Sequence, residues 1–300
     1  MRTEAVDPRF VEIDAWPTET AIEAMLEGQL AAIAAVQPAV PAIAAAADVA
    51  ALRLRPDGRL VYAGAGTSGR LAVQDGIELG PTYGWPAERL VLMLAGGNDA
   101  LLHSAEGAED DAAAAESAVA AAGLGARDVL VAVAASGRTP YTLAAVQAAR
   151  AAGALTIAIA NNPDTPLLAA ADHALLAATG SEIVAGSTRM KAGTAQKAML
   201  NLLSTAIMLR SGLVYRGLMV RMRVANDKLL DRGRRIVRDV TGVDAACAAQ
   251  ALEAAGRQIA PAILIAAGAP PERATALLRA ADDDLGRALA MLGRSEASDA

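Results

Sequence analysis

The segment RLVYAGAGTSGRL at residues 59–71 decides the fold of this chain. Its first part, Arg59–Ala63, is a short apolar run after the turn Pro56-Asp57-Gly58, and it predicts a β-strand. A glycine-rich turn, GAGTSG at residues 64–69, leads from it into a segment of helical character that ends near Leu79. Strand, glycine-rich turn and helix in this order are typical of α/β proteins, whose parallel sheets bind ligands beyond the carboxyl ends of the strands.

The same alternation of strand and helix continues along the chain. Four more apolar runs predict strands, at Leu90–Ala95, Asp128–Ala134, Leu155–Ala160 and His173–Ala177. Helical patterns separate these runs, at Asn98–Ala122, where Gly107 can interrupt the helix, and from Pro140 onward. We therefore predict an α/β fold in which a parallel sheet lies between two helical layers, as an αβα sandwich.

Helices flank this predicted sheet at both ends of the sequence. Thr20–Ala51 has a helical pattern that is broken near Pro38 and Pro41, and a long helix is predicted at Arg189–Arg210. Past Tyr215 the pattern is helical only. The predicted domains are an N-terminal helical segment at 1–55, an α/β domain at 56–215 and a small C-terminal helical region at 216–300.

Composition excludes several classes of function. The formal net charge is −6, from 27 basic and 33 acidic residues, and 2% of residues are aromatic, so we expect no nucleic-acid partner. Cys247 is the only cysteine, and the two histidines, His103 and His173, share no ligand spacing. The sequence therefore predicts neither a disulfide framework nor a metal site.

The N-terminal region bears on localisation. Residues 1–11 are charged and lack the apolar core of a signal peptide. The longest apolar run, Leu30–Ala51, is interrupted by Gln37, two prolines and Asp48, so it is a poor membrane span. These features predict a cytoplasmic protein without membrane contact.

The glycine-rich turn at 64–69 allows two interpretations. It matches the G-x-G-x-x-G pattern of dinucleotide-binding proteins, but that function requires an acidic residue about 20 residues on, and Asp99 lies later than this spacing. Alternatively, Thr67, Ser68 and Gly69 open a helix, where free N–H groups and the helix dipole attract an anion. A simple helix-capping role for Ser68 is the structural alternative.

A second turn of similar character favours the anion. The segment ASGRTP at 135–140 follows the third predicted strand and supplies Ser136, Gly137 and Thr139. Because both turns follow parallel strands, they lie at the same edge of the sheet. Together they predict a binding site for a single phosphate group.

These motifs give the chain a recognisable family resemblance. The two turns resemble those of the sugar-isomerase (SIS) domain, an α/β fold that binds phosphosugars, which implies a SIS domain at 56–215. More specifically, the chain resembles the N-acetylmuramic acid 6-phosphate etherases between Arg59 and Gly242. The stretches that carry this resemblance are GAGTSGRL at 64–71, PTYG at 81–84, EGAEDD at 106–111, the turn at 134–141 and GSTRMKAGTAQK at 186–197. Near the N-terminus only Thr3-Glu4 and Ile13-Asp14 match.

The resemblance implies a carbon–oxygen lyase of peptidoglycan recycling that needs no metal or organic cofactor. The D-lactyl ether of N-acetylmuramate 6-phosphate would be eliminated and water added, giving N-acetylglucosamine 6-phosphate and D-lactate. Such an elimination needs a base at C2–H and an acid at the departing ether oxygen. By resemblance, Glu78 is the acid and Glu109 the base. Without the resemblance, Glu109 is part of an acidic run typical of a solvated surface, and Glu78 ends an amphipathic helix.

Two further groups of residues are candidates for substrate contact. Ser187, Arg189 and Lys191 lie at the start of the long predicted helix, and the resemblance favours substrate contact there over capping and surface charge. Lys228 and Arg232 share one face of a later helix at i and i+4. They are candidates for a phosphate contact, within one subunit or across a dimer interface, and a solvated basic stripe is an equal alternative.

Other functions and the oligomeric state are left open by these residues. A sugar-phosphate-binding regulator without turnover, related to glucokinase regulators, is one alternative, and an aldose–ketose phosphosugar isomerase is another. A homodimer is predicted from the resemblance and from the apolar helix Ala195–Leu209, because two-fold dimers are the commonest oligomers. Which glutamate is the acid requires an exchange experiment.

Overall fold

The computed structural model describes residues 1–103 and 105–298. The chain divides into two compact units. The first comprises Met1–Gly76 and Glu88–Ala206, and the second comprises Ile77–Ala87 together with the chain from Ile207 onward. The division into domains at 1–55, 56–215 and 216–300 stays a prediction.

The first unit contains a five-stranded parallel sheet. Its strands are β1 (Leu60–Gly64), β2 (Leu90–Leu94), β3 (Val129–Val133), β4 (Leu155–Ala160) and β5 (His173–Leu176), in the spatial order β2-β1-β3-β4-β5. The register aligns the last residue of β1, Gly64, with Leu94 of β2 and Val133 of β3. The turns after β1 and β3 are therefore neighbours at one edge of the sheet, as the sequence predicts.

Thirteen α-helices lie within the described residues. In chain order they are α1 (Thr18–Ala34), α2 (Val40–Arg53), α3 (Gly66–Ile77), α4 (Leu79–Tyr83), α5 (Ala112–Ala122), α6 (Pro140–Ala151), α7 (Pro166–Ala170), α8 (Lys191–Arg210), α9 (Asp227–Thr241), α10 (Ala245–Ala254), α11 (Ile259–Ala266), α12 (Pro271–Ala280) and α13 (Leu285–Ser298). On one side of the sheet, Val61 of β1 and Leu130 of β3 share a core with Val119 of α5 and Val146 of α6. On the other side, α2 packs against β4 and β5. Because both faces are covered, every residue of β1, β3 and β4 is buried, and the predicted αβα sandwich is confirmed.

The helix predicted at Asn98–Ala122 is wrong in its first half. Short 3₁₀ turns occupy Asn98–Leu101 and Ala108–Asp110, and α5 begins only at Ala112. The cause is local, because the Asp111 carboxylate accepts a hydrogen bond from the Ala114 N–H at 2.8 Å and caps α5. The acidic run at 106–111 therefore lies mainly in an irregular segment between β2 and α5.

The N-terminal helical region is broken where the prolines predict. A 3₁₀ turn at Gln37–Ala39 separates α1 from α2, and Pro41 lies in the first turn of α2, where a proline fits. By length and composition alone, the segment Thr18–Arg53 is apolar enough to cross a membrane, although 33% of its most apolar window is buried in the protein. Core helices of soluble proteins pass the same test.

The second unit has its own apolar core. The helices α9 to α13 surround it, and α11, whose sequence IAPAILIA is apolar on every side, lies at its centre with six buried residues. These helices agree with the helical pattern predicted past Tyr215. The short segment Ile77–Ala87 belongs to this unit, since the Arg223 N–H donates to the Pro81 carbonyl at 3.1 Å.

Candidate active site

The first phosphate-binding turn lies directly after β1. Helix α3 begins at Gly66, so Thr67 and Ser68 are in its first turn, where backbone N–H groups have no partner within the helix. Ser68 is the third helical residue and does not occupy the N-cap position, which contradicts the capping alternative. Among the described residues, the hydroxyls of Thr67 and Ser68 have no hydrogen-bond partner, so both are available to a ligand.

Gly69 is required by the close approach of α3 to β1. A Cβ atom at this position would lie 2.7 Å from the carbonyl carbon and oxygen of Gly64 and 2.4 Å from a methyl group of Leu94. Any side chain would push the start of the helix away from the strand. Gly69 therefore shapes the turn through its backbone rather than by contacting a ligand through a side chain.

The second turn lies directly after β3 and is held by its own polar groups. The Ser136 Oγ accepts a hydrogen bond from the Arg138 N–H at 3.1 Å and lies 3.4 Å from the Thr139 Oγ1. Gly137 has φ 63°, and a Cβ there would clash with the Thr165 side chain. Thr139 precedes α6 without capping it through its side chain, so this second turn, like the first, brings hydroxyl groups to the start of a helix.

Both turns face one cavity of about 380 Å³. The polar residues that line it are Glu4, Thr67, Ser68, Glu109, Asp110, Ser136, Arg138, Thr139 and Thr188. A second cavity of about 320 Å³ shares Thr67 and Glu109 with the first and adds Arg70 and Glu106. The Arg70 guanidinium is anchored there, since its Nε donates to the Ala100 carbonyl at 2.8 Å.

Glu109 is positioned by the irregular segment before α5. It lies in the 3₁₀ turn Ala108–Asp110, its side chain is exposed, and it lines both cavities. An acidic run on a solvated helix face would not place a carboxylate in this way. A carboxylate opposite two hydroxyl-bearing helix starts can exchange a proton with a ligand whose anionic group those helix starts hold.

A buried phenol follows the second turn, at the start of α6. Tyr141 is the second residue of α6 and is buried. Burial and, after it, the negative charge of Asp111 raise the pKa of the Tyr141 hydroxyl, so it stays neutral at physiological pH. No group of three or more His, Cys, Asp or Glu side chains within residues 1–103 and 105–298 is arranged to hold a metal ion.

The structure brings together only some of the residues predicted from the sequence. Thr67, Ser68, Ser136, Thr139 and Glu109 line the same cavity, whereas Gly69 and Gly137 shape its two turns. Ser187, Arg189 and Lys191 belong to the first unit but do not line this cavity, and Glu78, Lys228 and Arg232 belong to the second unit.

The residues outside the cavity have contacts of their own. The Lys191 Nζ donates to the Ser181 carbonyl at 2.8 Å, and its backbone N–H donates to the buried Glu182 carboxylate. Ser187 is half-buried and Arg189 is exposed. Glu78, Lys228 and Arg232 belong to the second compact unit, where Glu78 is exposed and the Arg232 Nη1 lies 3.9 Å from the Met222 sulfur. Their roles stay predictions.

Four polar cavity residues are not predicted from the sequence as site residues, and one of them, Asp110, follows Glu109 in the acidic run at 106–111. Arg138 lies inside the second turn, and Thr188 lies inside the stretch at 186–197. Both could have been proposed as site residues because they lie within motifs that the sequence already indicated. Glu4 is about 60 residues before the first turn. Its only signal is the match of Thr3-Glu4 to the opening of the etherase family.

Two family models match the first part of the chain, and some solved structures have a limited similarity to it. Residues 43–150 match the glucokinase regulatory protein N-terminal SIS domain, and residues 110–206 match the SIS domain. A phosphoheptose isomerase from Francisella tularensis is 20% identical, with a TM-score of 0.44 over 64% of this chain and 96% of that one. The phosphoheptose isomerase from Neisseria gonorrhoeae is 19% identical, with a TM-score of 0.45 over 63% of this chain and 98% of that one.

Curated relatives match the chain over nearly its whole length. The N-acetylmuramic acid 6-phosphate etherase of Deinococcus radiodurans is 50% identical over 99% of this chain and 96% of its own. Those of Streptomyces avermitilis and Aeromonas hydrophila are 46% and 45% identical, over 98% and 94% of this chain and 95% of each relative. The resemblance found in the sequence is thereby confirmed, and the protein belongs to the N-acetylmuramic acid 6-phosphate etherase family.

Proposed function

We propose that the protein cleaves the D-lactyl ether of N-acetylmuramate 6-phosphate by elimination and water addition. The products are N-acetylglucosamine 6-phosphate and D-lactate, and the reaction is a step in amino-sugar degradation. The observation that carries the proposal is the single cavity in which two hydroxyl-bearing helix starts face Glu109. The relatives that bear the etherase name over almost the full chain support it.

The phosphate binds at the two turns in this proposal. Ser68 and Thr67 on α3, and Ser136 and Thr139 before α6, donate hydroxyl hydrogen bonds, while the free N–H groups of the helix starts add theirs. Arg138 adds a positive charge at the rim of the second turn. This arrangement neutralises a phosphate locally in a chain whose net charge is negative.

The carboxylates carry out the proton transfers. Glu109 removes the proton from C2 of the open-chain sugar, whose C1 aldehyde acidifies that position. Glu78 then protonates the ether oxygen so that lactate departs as an alcohol rather than as an alkoxide. Glu109 is supported as a catalytic group by its place in the cavity. The role of Glu78 rests on the family match around PTYG at 81–84.

A regulator without turnover is the second candidate. The match of residues 43–150 to the glucokinase regulatory protein N-terminal SIS domain favours it. Such a protein would bind the sugar phosphate at the same two turns, but it would have no use for a base in the cavity. The near full-length etherase relatives favour the enzyme.

We also propose that the enzyme works as a cytoplasmic homodimer. Helix α8 buries most of its apolar residues, so it is not the surface that supports a dimer. Helix α1 instead exposes Ile22, Leu26, Leu30 and Ile33 by 48–65%, and their spacing places them on one face. A second copy of the chain can cover this stripe, and a two-fold dimer is the commonest way to do so.

A lactate assay tests the proposed reaction directly. The protein is incubated with N-acetylmuramate 6-phosphate, and D-lactate and N-acetylglucosamine 6-phosphate are measured against time. We expect the two products in equal amounts. Saturable binding of the substrate without release of lactate would support the regulator instead, and conversion to a ketose phosphate with the ether intact would indicate an isomerase.

A further inference from the structure

The N-terminal segment of the chain forms part of the cavity wall. We define the N-terminal strap as residues 1–7. Met1 and Glu4 line the same cavity as the two phosphate-binding turns, while Thr3, between them, is completely buried. A buried residue flanked by two cavity-lining residues shows that the strap is packed into the protein at this point.

Hydrogen bonds fix the strap on both sides of Glu4. The Asn162 Oδ1 accepts from the Arg2 N–H at 2.8 Å, and the Asn162 Nδ2 donates to the Thr3 hydroxyl at 3.0 Å. The Gly186 N–H donates to the Thr3 carbonyl at 3.2 Å. Further along, the Ser181 hydroxyl donates to the Asp7 carboxylate at 3.0 Å. Glu4 is therefore held at the cavity by contacts that its own side chain does not make.

The carboxylate of Glu4 itself is left free. Its Oε2 lies 3.0 Å from the position that a Cβ of Gly186 would occupy, so the absence of a side chain at 186 gives it room. Among the described residues it has no hydrogen-bond or ion-pair partner, although it lies in a cavity with Ser68, Ser136 and Arg138. An exposed carboxylate without a partner, on a backbone held at the cavity, can accept hydrogen bonds from a ligand.

The charge of Glu4 decides which part of a ligand it can contact. A phosphate beside an unpaired carboxylate would be repelled, so the phosphate must stay at the hydroxyls of the two turns. The remainder of an amino-sugar phosphate carries neutral donors, namely hydroxyl groups and an amide N–H. We propose that Glu4 is a specificity-determining residue that accepts a hydrogen bond from one of these sugar donors, an inference that rests on the proposed function.

The test compares two ligands with opposite expectations. Binding of N-acetylglucosamine 6-phosphate and of inorganic phosphate is measured by calorimetry for wild type, Glu4→Ala and Glu4→Gln. Glu4→Ala should weaken the binding of N-acetylglucosamine 6-phosphate by about ten-fold or more, because a hydrogen bond to a charged group is lost. Binding of inorganic phosphate should be unchanged or tighter, because a negative charge is removed from its cavity. Glu4→Gln, which keeps an acceptor oxygen, should lose less sugar-phosphate affinity than Glu4→Ala.

Control measurements distinguish a ligand contact made by Glu4 from a structural role of this residue. Glu12→Ala changes an exposed glutamate outside the cavity and should alter neither affinity. The melting temperatures of the Glu4 variants should match wild type, since the side chain supports no described contact. Equal loss of affinity for both ligands would show a structural role of Glu4 and overturn the proposal. Unchanged binding of the sugar phosphate would also overturn it. If wild type releases no lactate from N-acetylmuramate 6-phosphate, the proposed reaction fails, while the two binding constants still decide the role of Glu4.

Discussion

The side-chain amide of Asn162 donates a hydrogen bond to the hydroxyl of Thr3, 159 residues earlier in the chain, at 3.0 Å. The same amide nitrogen donates at 2.9 Å to the carbonyl of Ala135, the first residue of the second phosphate-binding turn. Asn162 follows β4 and is 3% exposed. One buried side chain thus joins the N-terminal strap to a turn that forms the cavity.

Removal of this link should affect both stability and substrate affinity. Asn162→Ala leaves the buried Thr3 hydroxyl without a partner and removes one of the two donors to the Ala135 carbonyl, which costs about 1–3 kcal/mol of unfolding free energy. We also expect a higher KM for N-acetylmuramate 6-phosphate, because the strap and the turn lose their common anchor. Urea unfolding and steady-state kinetics measure the two effects. Asn98→Ala, at an exposed position, is the matched control, and a fully stable Asn162→Ala variant would contradict the structural role.

Phosphate affinity should depend on one hydroxyl from each turn. Ser68→Ala and Ser136→Ala each remove a hydrogen bond to a charged group, worth roughly 1.5–3 kcal/mol. Each should therefore raise the KM, and the inhibition constant of inorganic phosphate, by about ten-fold or more. Ser117→Ala, on the exposed face of α5, serves as the control. If neither cavity variant alters inhibition by phosphate, the phosphate site lies elsewhere.

The Glu78→Ala and Glu109→Ala variants should give different results in an isotope-exchange experiment. Glu78→Ala should lose about 10²–10⁴ in lactate release yet still exchange the C2 hydrogen with deuterated water, because abstraction needs only the base. Glu109→Ala should lose both exchange and cleavage. Mass spectrometry of the recovered substrate distinguishes the patterns, and the reverse pattern would exchange the two roles.

The controls for this experiment follow from the structure. Asp111 is unsuitable because it caps α5, and Glu106 is unsuitable because it lines the adjoining cavity. Glu116→Ala, on the exposed surface of α5, removes a nearby carboxylate without either complication. Near-normal lactate release by both the Glu78 and Glu109 variants would exclude them as the catalytic pair.

The ion pair between Arg59 and Asp128 should make stability depend on acidic pH. Burial alone would raise the pKa of the Asp128 carboxyl, but hydrogen bonds from the Arg59 side chain and backbone and from the Gly125 N–H outweigh it and lower that pKa below its ordinary value of 3.8. The stabilisation is therefore complete above pH 3.8 and is lost as the pH falls through the lower pKa of the folded state. Asp128→Asn should be less stable than wild type at pH 7, and the difference should shrink at pH 2–3.

Urea midpoints at the two pH values measure this effect. Asp57→Asn, which breaks the exposed pair with Arg127, is the control and should change stability little at pH 7. A stability difference between Asp128→Asn and wild type that stays constant from pH 7 to pH 2 would contradict the linkage.

The apolar stripe of α1 should control the oligomeric state. Wild type should sediment as a dimer at micromolar concentration, and Leu26→Glu should shift it to a monomer because a charge would be buried in the interface. Leu102→Glu alters an apolar residue that is 86% exposed outside α1 and should leave the dimer intact. A monomeric wild type would exclude the proposed dimer.

Local signals account for the parts of the fold and site that were predictable. The strand at 60–64 was predictable from an apolar run, and the turn at 64–69 from closely spaced glycines. Both signals consist of residues that are adjacent in the sequence. The helix predicted across Asn98–Ala122 was wrong only before Ala112, because the alanine-rich composition after residue 111 extended the helical signal into the segment that precedes the cap at Asp111. The place of Glu4 in the cavity could not be predicted from the neighbouring sequence, because the contacts that hold its segment come from Asn162 and Gly186, which are distant in the sequence.

The long-range anchor of the N-terminal strap has a consequence for biosynthesis. The strap is synthesised before Asn162, its partner, which is added 159 residues after Thr3. At a translation rate of about 5–20 residues per second, the interval is roughly 8–30 s. During that time the buried Thr3 has no pocket to enter, and the first strand-turn-helix motif already exists without one wall of its cavity. A nascent chain that stalls before Asn162 therefore carries both phosphate-binding hydroxyl turns but cannot yet hold Glu4 beside them.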